Sequence, residues 1–338
     1  MVKVGIIGLG TWGKNLLRNF SNLTDCEVLV CCDQQKEQLK KIQSIHPDYR
    51  YVQDYKEILE DKNIDAVVIA TPPESHFEIA HQAISKQKDV FVEKPMVLKV
   101  EDGEKLLKAA EEKKRILMVG HIMEYHSAVL KLKELVENGE LGDIYYLYAT
   151  RVNLGKVRDI ENALWSFAPH DISTILYLLN KEPKRVTASG QCYLQKKKGI
   201  EDVAFLTMHF DDGVMAHIHV SWLDPHKERK MTIVGNKKMV VFDDMQSGGK
   251  IWIYDKGVET KLDFNSYGEY LSLRFGDILI PKIDSSEPLK AECQHFLECI
   301  RDRSTPRSDG KDGLRVLKVL EAAQSSLEKG GTPEEIKT

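Results

Sequence analysis

Residues 8–13 read Gly-Leu-Gly-Thr-Trp-Gly, and this hexapeptide restricts the possible folds more than any other stretch of the chain. It follows a short apolar run, residues 2–7, and precedes a segment in which Leu16, Leu17 and Phe20 share one helical face. A second apolar run, residues 27–32, leads to Asp33, which stands about twenty residues beyond the last glycine. Glycines alone mark ordinary turns. A G-x-G-x-x-G between a strand and a helix, with an acid at the end of the next strand, predicts a dinucleotide-binding βαβ unit. In such a unit Gly8 permits the tight turn, Gly10 lets the backbone approach a pyrophosphate, and Gly13 lets the helix pack on the strand. The phosphates meet the unpaired N–H groups at the helix start, beside Thr11 and Trp12. Asp33 accepts the ribose hydroxyls and repels a 2′-phosphate, and Gln34 and Gln35 provide no arginine to bind one. The expected cofactor is therefore NAD rather than NADP.

The alternation continues to residue 121. Residues 65–71 read as a strand that ends in Thr71-Pro72-Pro73, and a helix begins near Glu74 and carries His76. Residues 89–95, Asp-Val-Phe-Val-Glu-Lys-Pro, form another strand, a helix follows over about 102–113, and 115–121 is a further strand ending at His121. Parallel strands joined by helical crossovers all end on one edge of the sheet, where ligands of open α/β folds bind. Thr71, Pro72, His76, Glu93, Lys94 and His121 thus join the glycines and Asp33 as cofactor-crevice candidates. Glu93 is assigned to ribose or backbone binding.

Beyond residue 121 the pattern changes. A helix over 126–138 precedes strands at 143–152, 184–194, 202–210, 214–223, 229–235 and 238–243, with an Asp-Gly hairpin turn at 210–214. This predicts an α+β domain on a mostly antiparallel open sheet, set after an α/β domain on a doubly wound parallel sheet. His217 and His219 share a strand face, with His209 on the preceding strand, but no cysteine or carboxylate completes a zinc set, so no metal is expected. The polar, aromatic segment 264–288 reads as a loop covering a substrate, with Tyr267, Tyr270 and Arg274 as contacts. Helices follow at 288–302 and 309–328. The expected domains are 1–121, 122–308 and 309–338.

Composition excludes several classes of function. With 338 residues the chain suits two domains, and its net charge of −4 with interspersed signs is not a nucleic-acid footprint. Lys196-Lys197-Lys198 beside Gly199 reads as an exposed turn. No apolar run approaches the roughly 18 residues of a membrane span, and the first residues already form a strand rather than a signal peptide. The six cysteines form no C-x-x-C pair. A reducing cytoplasm is the expected compartment.

The stretches GLGTWGKN, ATPPESHFEIA, VEKPM, MVGHIMEY and ALWSFAPHDISTILYLL occur in that order. Together they resemble the glucose–fructose oxidoreductase, inositol dehydrogenase and MocA (Gfo/Idh/MocA) family of sugar dehydrogenases over nearly the whole chain. Residues 151–179 and 220–244 look most like the nucleotide-sugar 3-dehydrogenases, which oxidise UDP-N-acetylglucosamine or its uronic acid at C3. The resemblance implies that Lys94 of the Glu-Lys-Pro motif reaches the reacting hydroxyl, with a cis Lys94–Pro95 bond, and that His170 contacts the same oxygen. It also implies that the last helix packs on the cofactor domain and that copies assemble as dimers or tetramers through the C-terminal sheet. Inositol-type members carry an Asp one helical turn before the His; Ser166 stands there, so the proton passes to Lys94 or His170. Asp171 is expected only to orient neighbours. Arg151, Asn153, Arg158 and Trp165 complete the substrate candidates. Alternatives are an inositol or free-sugar dehydrogenase, a non-catalytic NAD-dependent sensor, and a glycosidase that oxidises its sugar transiently.

Overall fold

The computed structural model describes residues 1–260 and 271–336 and divides into two compact units, 1–126 with 286–318 and 127–285 with 319–338. In the first unit, β1 (Val2–Ile7), α1 (Thr11–Ser21), β2 (Cys26–Cys32), α2 (Lys36–Gln43), β3 (Arg50–Val52), α3 (Lys56–Glu60), β4 (Ala66–Ile69), α4 (His76–Ser85), β5 (Asp89–Val92), α5 (Val100–Lys113) and β6 (Leu117–Val119) alternate. The described strands form a parallel sheet in the order β3-β2-β1-β4-β5-β6. The order reverses beside β1, which is where a doubly wound sheet opens its ligand crevice.

These strands are apolar on both faces because helices cover both faces: Val67, Val68, Val90, Phe91 and Val92 are fully buried. Leu16, Leu17 and Phe20 of α1 are buried as their spacing predicts, and each contributes about 2 kcal/mol by leaving water.

In the second unit, α6 (Ser127–Glu137) leads to β7 (Ile144–Val152), α7 (Ala163–Leu179), β8 (Arg185–Gln191), β9 (Val203–His209), β10 (Met215–Ser221), β11 (Glu228–Gly235), β12 (Met239–Asp243), β13 (Ile251–Thr260) and β14 (Leu271–Leu279). The described sheet runs β14-β13-β12-β11-β7-β10-β9-β8 and closes with β15 (Glu334–Glu335). Its pairs are antiparallel except β7 with β10. The hairpin at 210–214 forms: Phe210 N–H donates to Val214 O at 3.0 Å, and Gly213 takes φ +83°. One face of the sheet receives α7. The other leaves Tyr146, Tyr148 and Phe205 exposed, with the two tyrosines stacked and Phe205 stacked on His219 at 4.4 Å. His217 Nδ1 lies 3.0 Å from Thr207 Oγ1.

Two expectations change. The expected loop 264–288 contains β14 over Leu271–Leu279, paired with β13, because Leu273 and Phe275 alternate with Ser272 and Arg274 as a strand requires. Its expected contacts Tyr267 and Tyr270 lie outside the described residues. Secondly, α8 (Pro288–Asp302), placed by sequence in the second domain, counts with the first unit. Its Phe296 meets Phe20 and Phe91 edge-on at 6.3 and 5.7 Å, anchoring the helix on α1 and β5. The last helix, α9 (Gly310–Glu328), is shared: residues up to Lys318 count with the first unit and the rest with the second.

Among the described residues no helix is long and apolar enough to cross a membrane. The cysteines are free, and burial pushes the Cys31 and Cys32 thiols up to about 12, so neither is a nucleophile at neutral pH.

Candidate active site

The glycine turn of the first unit is shaped by steric exclusion. Gly8 has φ +91°, and a Cβ there would meet Ala70 O at 2.6 Å; at Gly13 it would lie 1.9 Å from Gly8 O. No other residue fits either position. At Gly10 a Cβ would meet nothing within 4 Å, so the backbone there faces open space. Gly10 caps α1 without a side-chain bond, which leaves the first amides, including those of Thr11 and Trp12, available to an anion. The Asp33 carboxylate accepts Leu9 N–H and Gln35 N–H, each at 2.8 Å, and so ties the end of β2 to this turn.

At the same sheet edge, Thr71 and Pro72 follow β4. Ser75 Oγ–H donates to Thr71 Oγ1 at 2.7 Å, and the Ser75 amide donates to Pro72 O at 3.1 Å. The next turn is Glu93-Lys94-Pro95, and the Lys94–Pro95 bond is cis. Glu93 Oε1 accepts the Trp12 indole N–H, and Oε2 accepts the Lys94 amide N–H at 3.2 Å. Burial raises the Glu93 pKa to about 7, while Lys94, the two N–H groups and His121 pull it down.

His76 was expected to touch the cofactor. Instead it is 1% exposed, and its ring nitrogens lie 2.9 Å from Pro95 O and from Thr71 O. Both nitrogens of this buried imidazole lie against backbone carbonyls, and the neutral ring can donate to one of them, so no nitrogen is left for a ligand. Burial lowers its pKa, against the pull of the two carbonyls and Glu74.

His121 is also buried. Its Nδ1 contacts Asp312 Oδ2 at 2.7 Å and lies 3.6 Å from Glu124 Oε1. Although burial alone opposes it, these acids raise the His121 pKa to about 10. The three ligating atoms lie within 4.8 Å of one another, a spacing that could hold a metal. The His121–Asp312 contact is nevertheless that of a charge-assisted hydrogen bond, with a proton where a cation would sit. Glu124 and Glu292 are fully buried, and among the described residues none hydrogen-bonds their carboxyl oxygens. Burial pushes both pKa values up, Glu124 to about 8. Sequence reasoning missed Glu124, Glu292 and Asp312. Glu292 carried a signal: it lies on the apolar stripe of α8 with Leu289, Cys293 and Phe296.

In the second unit α7 carries Trp165, Ser166 and His170, the last two one helical turn apart. Asn162 caps the helix by accepting Trp165 N–H at 3.1 Å and donates to Glu201 and Gln324. The Trp165 indole N–H donates to Gln324 Oε1 at 3.1 Å. Ser166 is buried, while His170 and Trp165 are half-buried. Arg151, read by sequence as a sugar contact, is buried and donates to both oxygens of Asp171 at 2.7 and 3.0 Å, so its main partner is internal. β7 ends at Val152, and Asn153 lies just beyond it. Arg158 is exposed and pairs with Glu161 at 3.2 Å. Arg274, on β14, pairs with Asp255 at 3.1 Å and donates to Lys237 O.

Comparison with known proteins gives two family matches. Residues 2–121 match the oxidoreductase family with an NAD-binding Rossmann fold, and residues 129–241 match the Gfo/Idh/MocA C-terminal domain. The chain is similar to the myo-inositol 2-dehydrogenase of Thermotoga maritima, 25% identical over 97% of this chain and 96% of that protein. It is 26% identical to the scyllo-inositol 2-dehydrogenase (NAD(+)) of Bacillus subtilis over 97% and 95% of the two lengths. Among solved structures, the UDP-N-acetylglucosamine 3-dehydrogenase of Acidithiobacillus ferrooxidans superposes with a TM-score of 0.80 at 24% identity, covering 97% and 98% of the two chains, and thus shares the fold.

Proposed function

Because the chain belongs to the Gfo/Idh/MocA oxidoreductases and binds NAD through its Rossmann unit, we propose that it oxidises a secondary hydroxyl, at C3, of a nucleotide sugar such as UDP-N-acetylglucosamine. The nicotinamide accepts the hydride. This chain's residues bind, orient and move the proton: Lys94 takes it from the hydroxyl, and His170, by the resemblance, serves as relay. Gly8, Gly10, Gly13, Thr11, Trp12, Asp33, Thr71 and Pro72 form the cofactor crevice. Asn153, Arg158, Trp165 and Ser166 are the substrate contacts, and an exposed arginine such as Arg158 suits a phosphate or uronate.

The observation that carries this reading is on α7. Where an inositol-type site would place a carboxylate one turn before the imidazole, the chain has Ser166, and the adjacent acid, Asp171, is engaged by Arg151 at 2.7 and 3.0 Å. A helix without a free carboxylate there supports a lysine base. The second reading is an inositol dehydrogenase, favoured by the inositol-oxidising relatives. Incubation with NAD+ and, in turn, UDP-N-acetylglucosamine, its uronic acid, myo-inositol and glucose separates the two, with NADH absorbance as the readout. The expected result is NADH with a UDP-sugar and none with inositol; the reverse selects the second reading. A panel without NADH would revive a non-catalytic sensor, and aglycone release without net NADH would indicate a transient-redox glycosidase.

The exposed Tyr146, Tyr148 and Phe205 face supports assembly through the C-terminal sheet as a homodimer or homotetramer, which sedimentation tests. The expected compartment is the cytoplasm.

A further inference from the structure

We propose that Trp12 and Glu93 are positioning residues through which the dinucleotide turn sets the main chain of Lys94. The inference rests on the reading of Lys94 as proton acceptor and adds how that lysine is held.

Four contacts within the first unit carry it. Glu93 is 9% exposed, and both of its oxygens already accept protein N–H groups, from the Trp12 indole and from the Lys94 amide. Gly120 packs on the other side: a Cβ there would lie 3.0 Å from Glu93 Oε2, so the close approach of this carboxyl depends on glycine. On the far flank of Lys94, the Pro95 carbonyl lies 2.9 Å from His76 Nδ1 and accepts from it in the tautomer that carries the proton there. Lys94 is thus pinned from both sides, by Glu93 before it and by His76 after it. A carboxylate so covered and so bonded has little left to offer a ribose; of its two expected partners, ribose or backbone, it holds a backbone amide. Trp12, by contrast, is 39% exposed on the turn whose Gly10 faces open space. An arriving dinucleotide meets this ring first. Its N–H passes any shift to Glu93, and Glu93 passes it to the amide of Lys94.

The carboxyl accepts both bonds best when ionised, because a proton on one oxygen leaves that oxygen a weaker acceptor. The groups facing it are Lys94 on its own turn, Trp12 of α1, His121 after β6, and Glu292 of α8, whose own pKa burial and Glu93 raise. Together with burial they leave it titrating near pH 7, so the coupling weakens on the acid side of neutrality.

The test uses Trp12→Phe, which keeps the ring and removes the N–H, and Glu93→Gln, which keeps the shape and removes the charge, with thermal unfolding as a check on folding. With a UDP-sugar that the wild-type protein oxidises, each variant should lose about tenfold to a hundredfold in kcat, the scale of a misplaced catalytic group. NAD+ affinity by calorimetry should fall by less than kcat does, and the double variant should be no worse than the poorer single one. Weakened NAD+ binding with kcat intact would overturn the proposal and return both residues to the cofactor; additive losses would also overturn it. A second readout needs no turnover: the Trp12 fluorescence, taken as wild type minus Trp12→Phe, should titrate near pH 7 and stop doing so in Glu93→Gln. If that titration is absent or survives Glu93→Gln, the coupling fails, whereas a silent sugar panel sinks only the activity reading.

Discussion

Gly13 shows how much one residue can decide. Its missing Cβ leaves room for Gly8 O at what would be 1.9 Å, so Gly13→Ala must push α1 off β1. That variant should lose NAD+ binding by calorimetry and about 1–3 kcal/mol of stability, the usual cost of overpacking; wild-type affinity would show that the turn can widen. At this scale the sequence was a good guide wherever a residue type has a single physical use. Gly8 and Gly13 must lack a side chain, and the cis proline sits in its motif. It was a poor guide where the role depends on distant partners. His76 and Arg151 are ligand-type residues that the fold spends internally, on Pro95 and Thr71 and on Asp171. Nothing local in either segment distinguishes that use from binding.

Among elements, α7 and α8 do the most to place the candidate residues. The N-cap bond from Trp165 N–H to Asn162 fixes the first turn of α7, which carries Ser166, and His170 follows one turn later. Asn162→Ala should cost about 0.5–2 kcal/mol, measurable by urea unfolding. Phe296→Ala on α8 breaks the contacts with Phe20 and Phe91 and should cost about 3–5 kcal/mol. A loss below about 1 kcal/mol would mean that the cavity collapses around the gap. Of the two, α8 was legible from its apolar spacing. The strand β14 was not, since Leu273 and Phe275 are exposed and the alternation in that segment marks no buried face. The short β3 carries too few residues to show any period.

Over the whole molecule, the first unit stores protons. Glu93 titrates near 7, Glu124 near 8 and His121 near 10, and Glu292 is raised as well, so the folded state holds protons that the unfolded chain releases. A raised pKa contributes stability below the unfolded value that is lost as pH climbs through the folded one. The carboxyls therefore withdraw their share from about pH 4.5 to about pH 8, and His121 withdraws its share from about pH 6.5 to about pH 10. Urea unfolding should give lower stability at about pH 9 than at about pH 6, and Glu292→Gln should flatten the decline. Stability that is flat or rising over that range would mean that these groups ionise freely in the fold.

The most direct test of the central claim, that Lys94 accepts the proton as hydride passes to NAD, is the turnover of Lys94→Ala with a UDP-sugar, measured together with NAD+ affinity. The predicted result is a kcat at least about a hundredfold lower with NAD+ bound as in the wild type. Near-normal turnover would contradict it.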